Sequence, residues 1–201
     1  MILNSFISAV VTGGTSGLGA AVARMLVGHG VRVAVIGRNQ DKGEAAANQI
    51  GALFCRADVG NDEEIARALT RARQAHGQER ILVTCAGISG SAKIASRDRK
   101  TGEARRFPPD LAHRILRTNL EGTFNCVAQS AEGMLELPAL DNGERGVIIN
   151  TASIAASDGL AGQSAYAASK AGVTGMTLAV ARDLSNDGIR SNSILPGLVH
   201  T

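Results

Sequence analysis

The chain's one tyrosine, Tyr166, stands four residues before Lys170 in the run Gln163-Ser164-Ala165-Tyr166-Ala167-Ala168-Ser169-Lys170. This run is helix-forming, and in a helix the i, i+4 spacing stacks a phenol and an ammonium on one face. A free phenol gives up its proton near pH ~10. A neighbouring positive charge favours phenolate, which brings the hydroxyl within reach of general acid–base work. Taken alone the pair is a common coincidence, because a lone tyrosine usually serves as half-buried packing. Its meaning depends on the elements that would carry it.

The first of those elements opens the chain. Phe6-Ile7-Ser8-Ala9-Val10-Val11-Thr12 is a β-branched, apolar run, followed by Gly13-Gly14-Thr15-Ser16-Gly17-Leu18-Gly19 and then by apolar residues at helical spacing through Val27. Strand, glycine turn and helix form the context in which backbone N–H groups approach a pyrophosphate at a helix N-terminus. A merely flexible loop is the plain alternative. A phosphate-binding module of the P-loop kind is disfavoured, because no Lys-Ser/Thr pair follows Gly19.

Strand-like and helical patterns alternate along the rest of the chain. Strands are expected at 6–12, 31–37, 52–56, 80–85, 146–151 and 189–195, with helices near 17–29, 41–50, 61–75, 110–135 and 163–185. This alternation predicts an α/β fold: a Rossmann-like, doubly wound parallel sheet in three α/β/α layers, with 1–201 as a single dinucleotide-binding catalytic domain. Residues 88–109, rich in Gly, Ser and charge, read as an irregular excursion, and 136–146 as a shorter one with the turn signal Asp141-Asn142-Gly143.

Composition agrees with an aliphatic core. The 201 residues are 44% hydrophobic and 19% charged but only 2% aromatic, which suits parallel strands of Val, Ile and Leu under Ala-rich helices. The net charge is +3, and the one basic cluster, Arg97, Arg99, Lys100, Arg105 and Arg106, reads as a solvated loop. Nucleic-acid binding is disfavoured because stacking aromatics are nearly absent. Cys55, Cys85 and Cys126 lack metal-ligand spacing and read as small buried residues in a reducing compartment. No apolar stretch approaches the ~20 residues that span a bilayer, and no basic leader precedes the first strand, so a cytoplasmic protein is expected.

Ligands of such sheets collect at the strand ends. The second strand ends in Gly37-Arg38-Asn39, offering a guanidinium where NAD-binding sites carry an acid for the 2′-hydroxyl, which tilts the cofactor toward NADP(H) over NAD(H). Asp58 after the third strand suits the adenine amino group or a helix cap, and Cys85-Ala86-Gly87 after the fourth are small enough for a cofactor to lie against the backbone. Ser153, after Val147-Ile148-Ile149-Asn150-Thr151, would hold a substrate carbonyl beside Tyr166, or would simply cap a turn.

Together these residues resemble the short-chain dehydrogenase/reductase family, through Thr12-Gly13-Gly14-Thr15-Ser16-Gly17-Leu18-Gly19, Asp58-Val59, Cys85-Ala86-Gly87, Asn119, Ser153, Tyr166 with Lys170, and Pro196-Gly197 followed by Thr201. The resemblance implies Tyr166 as general acid/base and Lys170 as its modulator and ribose ligand. It also implies Ser153 as the group orienting the substrate oxygen and Asn119 as support for a water chain to Lys170. It assigns Ser16, Leu18, Asp58, Val59, Cys85, Val199 and Thr201 to the cofactor pocket, where Gly13, Gly17, Gly19, Arg38, Ala86, Gly87, Pro196 and Gly197 are the further candidates. Cys85 replaces the asparagine usual in that segment.

Phrases such as Arg145-Gly146-Val147-Ile148-Ile149-Asn150-Thr151-Ala152-Ser153 and Gly175-Met176-Thr177-Leu178-Ala179 are similar to the branch containing type-2 3-hydroxyacyl-CoA dehydrogenases. That branch uses NAD and carries an acid where this chain has Gly37, whereas Arg38 speaks for NADP(H) and the neutral Ser16 against it. The family usually continues past the Pro-Gly segment with a lid, a helix and a last edge strand, so the sheet is expected to lack that strand. The reading is hydride transfer between a nicotinamide cofactor and a secondary alcohol or ketone, in a homodimer or homotetramer. A non-catalytic dinucleotide-binding or scaffold protein is the alternative.

Overall fold

In a computed structural model, which describes residues 1–199, the chain runs β1 (Ser8–Thr12), α1 (Gly17–Gly28), β2 (Arg32–Gly37), α2 (Gln40–Ile50), β3 (Leu53–Arg56), α3 (Asp62–His76) and β4 (Ile81–Thr84). It continues through β5 (Ala95–Arg97), β6 (Ala104–Arg106), α4 (Pro109–Leu116), α5 (Gly122–Leu135), β7 (Gly146–Thr151), α6 (Ser164–Leu184) and β8 (Ile189–Ile194). Six strands form one parallel sheet in the order β3-β2-β1-β4-β7-β8. Strand order reverses between β1 and β4, which opens a crevice beyond their carboxyl ends. Register brings Thr12, Ile36, Thr84 and Asn150 level along that rim.

Alternation along the strands builds both outer layers. Val10, Ala34, Leu82 and Ile148 face Ile65 and Leu69 of α3 and Val127 and Met134 of α5, while Val11, Val33, Val35 and Val83 face Ala23 and Leu26 of α1 and Ala47 and Ile50 of α2. Strands buried on both faces need apolar residues at nearly every position, and the runs supply them. Small residues let the helices approach: a Cβ at Gly43 would run into the Phe54 ring, and one at Gly122 would lie 2.6 Å from Val59.

Two segments differ from their expectation. Residues 88–109 are not wholly irregular, since β5 and β6 pair as an antiparallel hairpin with Ala95↔Arg106, Ser96↔Arg105 and Arg97↔Ala104. All six of those residues are exposed, so no apolar face announces the ribbon. Asp98 organises its turn: the carboxylate accepts from the N–H groups of Lys100 (2.9 Å) and Thr101 (3.0 Å) and pairs with Arg105 (2.9 Å). Those backbone donors hold the Asp98 carboxyl below its ordinary range. The helix expected over 110–135 is broken by a π turn at Arg117–Glu121, one extra residue per turn that carries Asn119 toward the crevice.

At the opposite end of the sheet Glu79, 1% exposed, accepts from Arg73 Nε (3.0 Å), Arg73 Nη2 (2.9 Å) and Ser130 Oγ (2.8 Å), tying α3, β4 and α5 together. Glu79→Ala leaves a part-buried guanidinium without its counter-ion and should cost about 3 kcal/mol. Equilibrium urea unfolding measures this, and an unmoved midpoint would show that the pair is dispensable.

Candidate active site

The crevice begins with a helix start that is left uncapped. Ser16 occupies the N-cap of α1 without a side-chain cap bond, and no acidic residue stands in the first turn. By contrast α2 and α3 are capped by Asn39 on Lys42 N–H and Asn61 on Glu64 N–H, with acids in their first turns. A helix N-terminus with free N–H donors and no competing carboxylate suits an anion.

The glycines before it are required by space. Gly13 has φ +64°, and a Cβ there would lie 2.7 Å from the Ala86 nitrogen; one at Gly14 would lie 2.6 Å from the Val35 side chain. A Cβ at Gly19 would strike the Gly13 carbonyl. The turn can therefore lie flat against β4's end and leave a cleft of about 530 Å³, walled by Gly13, Thr15, Arg38, Asp58, Val59 and Ala86 among others. Arg38 is exposed at its outer end. Asp58 accepts from Gly60 N–H (3.0 Å) in a turn, while the helix cap belongs to Asn61.

Gly87 and Ile88 are shared with a second cavity of about 300 Å³. Its walls bring Leu18, Cys85, Ser153, Tyr166 and Lys170 together with Pro196, Gly197 and Val199. Ser153 Oγ also accepts from Ala155 N–H at 3.2 Å, so it caps a short 3₁₀ turn and faces the cavity at once. As an acceptor in that bond, the hydroxyl keeps its proton for another partner. A pair of joined cavities, one bounded by Gly13 and Thr15 of the glycine turn and one holding a phenol and an ammonium, fits an extended dinucleotide.

On α6 the expected stacking holds, with Lys170 Nζ 5.9 Å from the Tyr166 ring centroid. Lys170 is buried and donates to the Thr151 carbonyl at 2.6 Å. Burial pushes its ammonium below the ordinary lysine value, and the adjacent Cys85 sulfur opposes that shift. Burial raises the Cys85 thiol, while the Thr151 hydroxyl, 3.3 Å away, and the Lys170 charge lower it again. Cys126, far from solvent, is pushed up to about 12 by burial and then by Asp62.

Asn119 lies behind the rim. Fully buried, it accepts from Ile88 N–H (2.8 Å) and donates to the Ile88 carbonyl (2.9 Å) and Ser169 Oγ (3.1 Å). A Cβ at Gly87 would sit 3.3 Å from Asn119 Oδ1 and 3.7 Å from Lys170 Nζ, so this glycine keeps both side chains within reach of the crevice. Ser16, Gly17 and Gly19 shape the helix start and line neither cavity; Thr201 lies outside the described residues. Sequence reasoning passed over Thr15, Ile88, Thr118 and Thr151 as lining residues. Thr15 stood inside the glycine turn and could have been named, whereas Thr118 reaches the cleft through the π turn, which no periodicity marks.

A family model described as short chain dehydrogenase matches residues 8–201. The bovine 3-hydroxyacyl-CoA dehydrogenase type-2 is 42% identical over 195 residues, covering 96% of this chain and 73% of that protein, and the human protein of the same name is also 42% identical with the same coverage. Among solved structures, 3-hydroxyacyl-CoA dehydrogenase type-2 from Mycobacterium avium superposes with a TM-score of 0.85 at 36% identity, covering 97% of this chain and 76% of that one. A family match over residues 8–201, relatives at 42% identity along 96% of the sequence and a solved structure at a TM-score of 0.85 have one explanation: the chain belongs to the short-chain dehydrogenase family.

Proposed function

We propose that this oxidoreductase, which acts on CH–OH groups, interconverts a secondary alcohol and its ketone, with Tyr166 moving the hydroxyl proton. The observation that carries the reading is the gathering of Ser153, Tyr166 and Lys170 around one cavity that opens into the glycine-turn cleft. A bound nicotinamide dinucleotide supplies the hydride acceptor or donor. The chain supplies position and charge. Ser153 donates a hydrogen bond to the substrate oxygen and keeps its proton. Tyr166 takes the alcohol proton in oxidation and returns one in reduction, and the Lys170 ammonium stabilises the phenolate while the proton is away. Asn119, clamped between Ile88 and Ser169, supports a water path toward Lys170.

The cofactor-facing roles follow the same walls. Gly13, Gly17 and Gly19 admit the pyrophosphate to the N–H groups after Ser16, Asp58 and Val59 meet the adenine, and Arg38 meets a 2′-phosphate. Cys85, Ala86, Gly87, Leu18, Pro196, Gly197 and Val199 enclose the nicotinamide half. A 3-hydroxyacyl-CoA thioester is the substrate class we favour, because the bovine and human relatives are named for it. The exposed Phe124 on α5 and Leu178 on α6 suit a homodimer or homotetramer built on those helices, and three free cysteines suit a cytoplasmic setting.

Replacing Tyr166 with Phe keeps the ring and removes the proton carrier. Turnover of 3-hydroxybutyryl-CoA should fall by about 10²- to 10⁴-fold while nucleotide binding persists; undiminished turnover would sink the mechanism. For the cofactor, NADPH should bind more tightly than NADH, and Arg38→Ala should weaken NADPH alone by roughly tenfold to a hundredfold, as expected for lost charge-assisted bonds. Equal titrations before and after the change would make Arg38 a bystander.

Lys170 generates a pH prediction. Its folded-state value lies below the ordinary 10.5, so between the two the unfolded chain binds more protons, and stability attributable to this residue rises with pH across that window. The difference in unfolding free energy between wild type and Lys170→Met should therefore grow in favour of wild type from neutral pH toward 10.5. Urea titrations at both ends test this, and parallel profiles would contradict it.

A further inference from the structure

The β4–β7 ladder stops one step early, and the interruption has a consequence for Lys170. Register pairs Thr84 with Asn150, so Cys85 stands next to Thr151 in line, and Val147 N–H donates to the Arg80 carbonyl. Continued two steps up each strand, a parallel ladder would send the Ala86 N–H to the Thr151 carbonyl. Ala86 N–H donates instead to Thr12 Oγ1 at 3.3 Å. The released Thr151 carbonyl accepts Lys170 Nζ at 2.6 Å, while the Thr151 hydroxyl meets Cys85 Sγ at 3.3 Å.

Resting on the reading of Tyr166 and Lys170 given above, we propose that Thr151, steadied by Cys85, is a positioning residue that docks the Lys170 ammonium on a carbonyl freed from the sheet. The side-chain bond replaces the missing ladder bond and fixes the plane of the Thr151 peptide. That plane aims the carbonyl at Nζ, which in turn stays 5.9 Å from the phenol ring. A buried ammonium without a fixed acceptor would wander through other rotamers. Among the residues lining this cavity the titrating groups are Cys85, directly after β4, and Tyr166 and Lys170 from α6; β7 and the 196–199 segment contribute none.

Thr151→Val conserves shape and strand propensity while removing the hydroxyl. With nitrogen-labelled lysine, NMR follows the Lys170 titration without any turnover. Loss of support for the charged form should lower its midpoint by about half a pKa unit, the scale of one hydrogen bond. Cys85→Ala should do the same, the double variant should go no further than either single one, and Thr151→Ser should restore the wild-type midpoint. In parallel, kcat for 3-hydroxybutyryl-CoA should fall about threefold to tenfold in Thr151→Val and recover in Thr151→Ser. An unmoved midpoint in Thr151→Val, or additive shifts in the double variant, would overturn the proposal. Full activity of Tyr166→Phe would instead remove the catalytic reading and leave the titration result standing by itself.

Discussion

The site depends on holding a positive charge inside the protein at the carboxyl rim of a parallel sheet. A buried ammonium is costly unless oxygens surround it. The rim is the one part of the sheet that has oxygens to give, because a strand that ends releases carbonyls its neighbours no longer use. Lys170 takes one of these from Thr151. Its burial, its stacking with Tyr166 and the placement of α6 across the sheet edge are therefore one arrangement. Had β4 continued its pairing past Thr84, the Thr151 carbonyl would have been spoken for and the lysine would have had to look elsewhere.

The same logic of unfilled backbone groups governs the other half of the crevice. Asn39 and Asn61 close the starts of α2 and α3, and both helices place carboxylates nearby. At α1 the chain withholds both devices, although a serine stands in the N-cap position and could have supplied one. Uncapped donors cost stability in an empty helix. Water can satisfy them, and an anion satisfies them while also meeting the positive end of the helix dipole, so the glycine turn and the bare N-terminus together suit an anion.

Much of this was legible in the residues. Five of the six strands could be read because each is a mainly apolar run bounded by turns, and a sheet covered on both faces leaves little room for other patterns; the edge strand β8, Ile189–Ile194, instead carries polar residues at its centre. The pairing of Tyr166 with Lys170 could be read because helical spacing fixes it regardless of context. The hairpin of Ala95–Arg97 and Ala104–Arg106 could not, because a ribbon exposed on both faces needs no hydrophobic alternation, and its stability rests on the Asp98 turn. Nor could the π turn at Arg117–Glu121, where one inserted residue shifts Thr118 and Asn119 round the helix while the surrounding apolar pattern continues. Lining residues such as Ile88 and Thr151 were invisible for a further reason: their part is set by which neighbouring backbone groups remain unpaired, and that follows from register rather than from type.

Ser153 illustrates how a structural and a chemical reading of one residue can both hold. Its oxygen accepts the Ala155 N–H and so caps the 3₁₀ turn after β7, the ordinary duty of a serine in that position. That bond uses a lone pair and leaves the hydroxyl proton uncommitted. It also fixes the oxygen in space, on a residue that lines the cavity shared with Tyr166. The cap thus makes the serine a better donor than a free one, since the entropy of orienting it has already been spent in folding. Sites of this fold are assembled from groups whose first task is to finish a strand or begin a helix, and the chemistry uses what those tasks leave over.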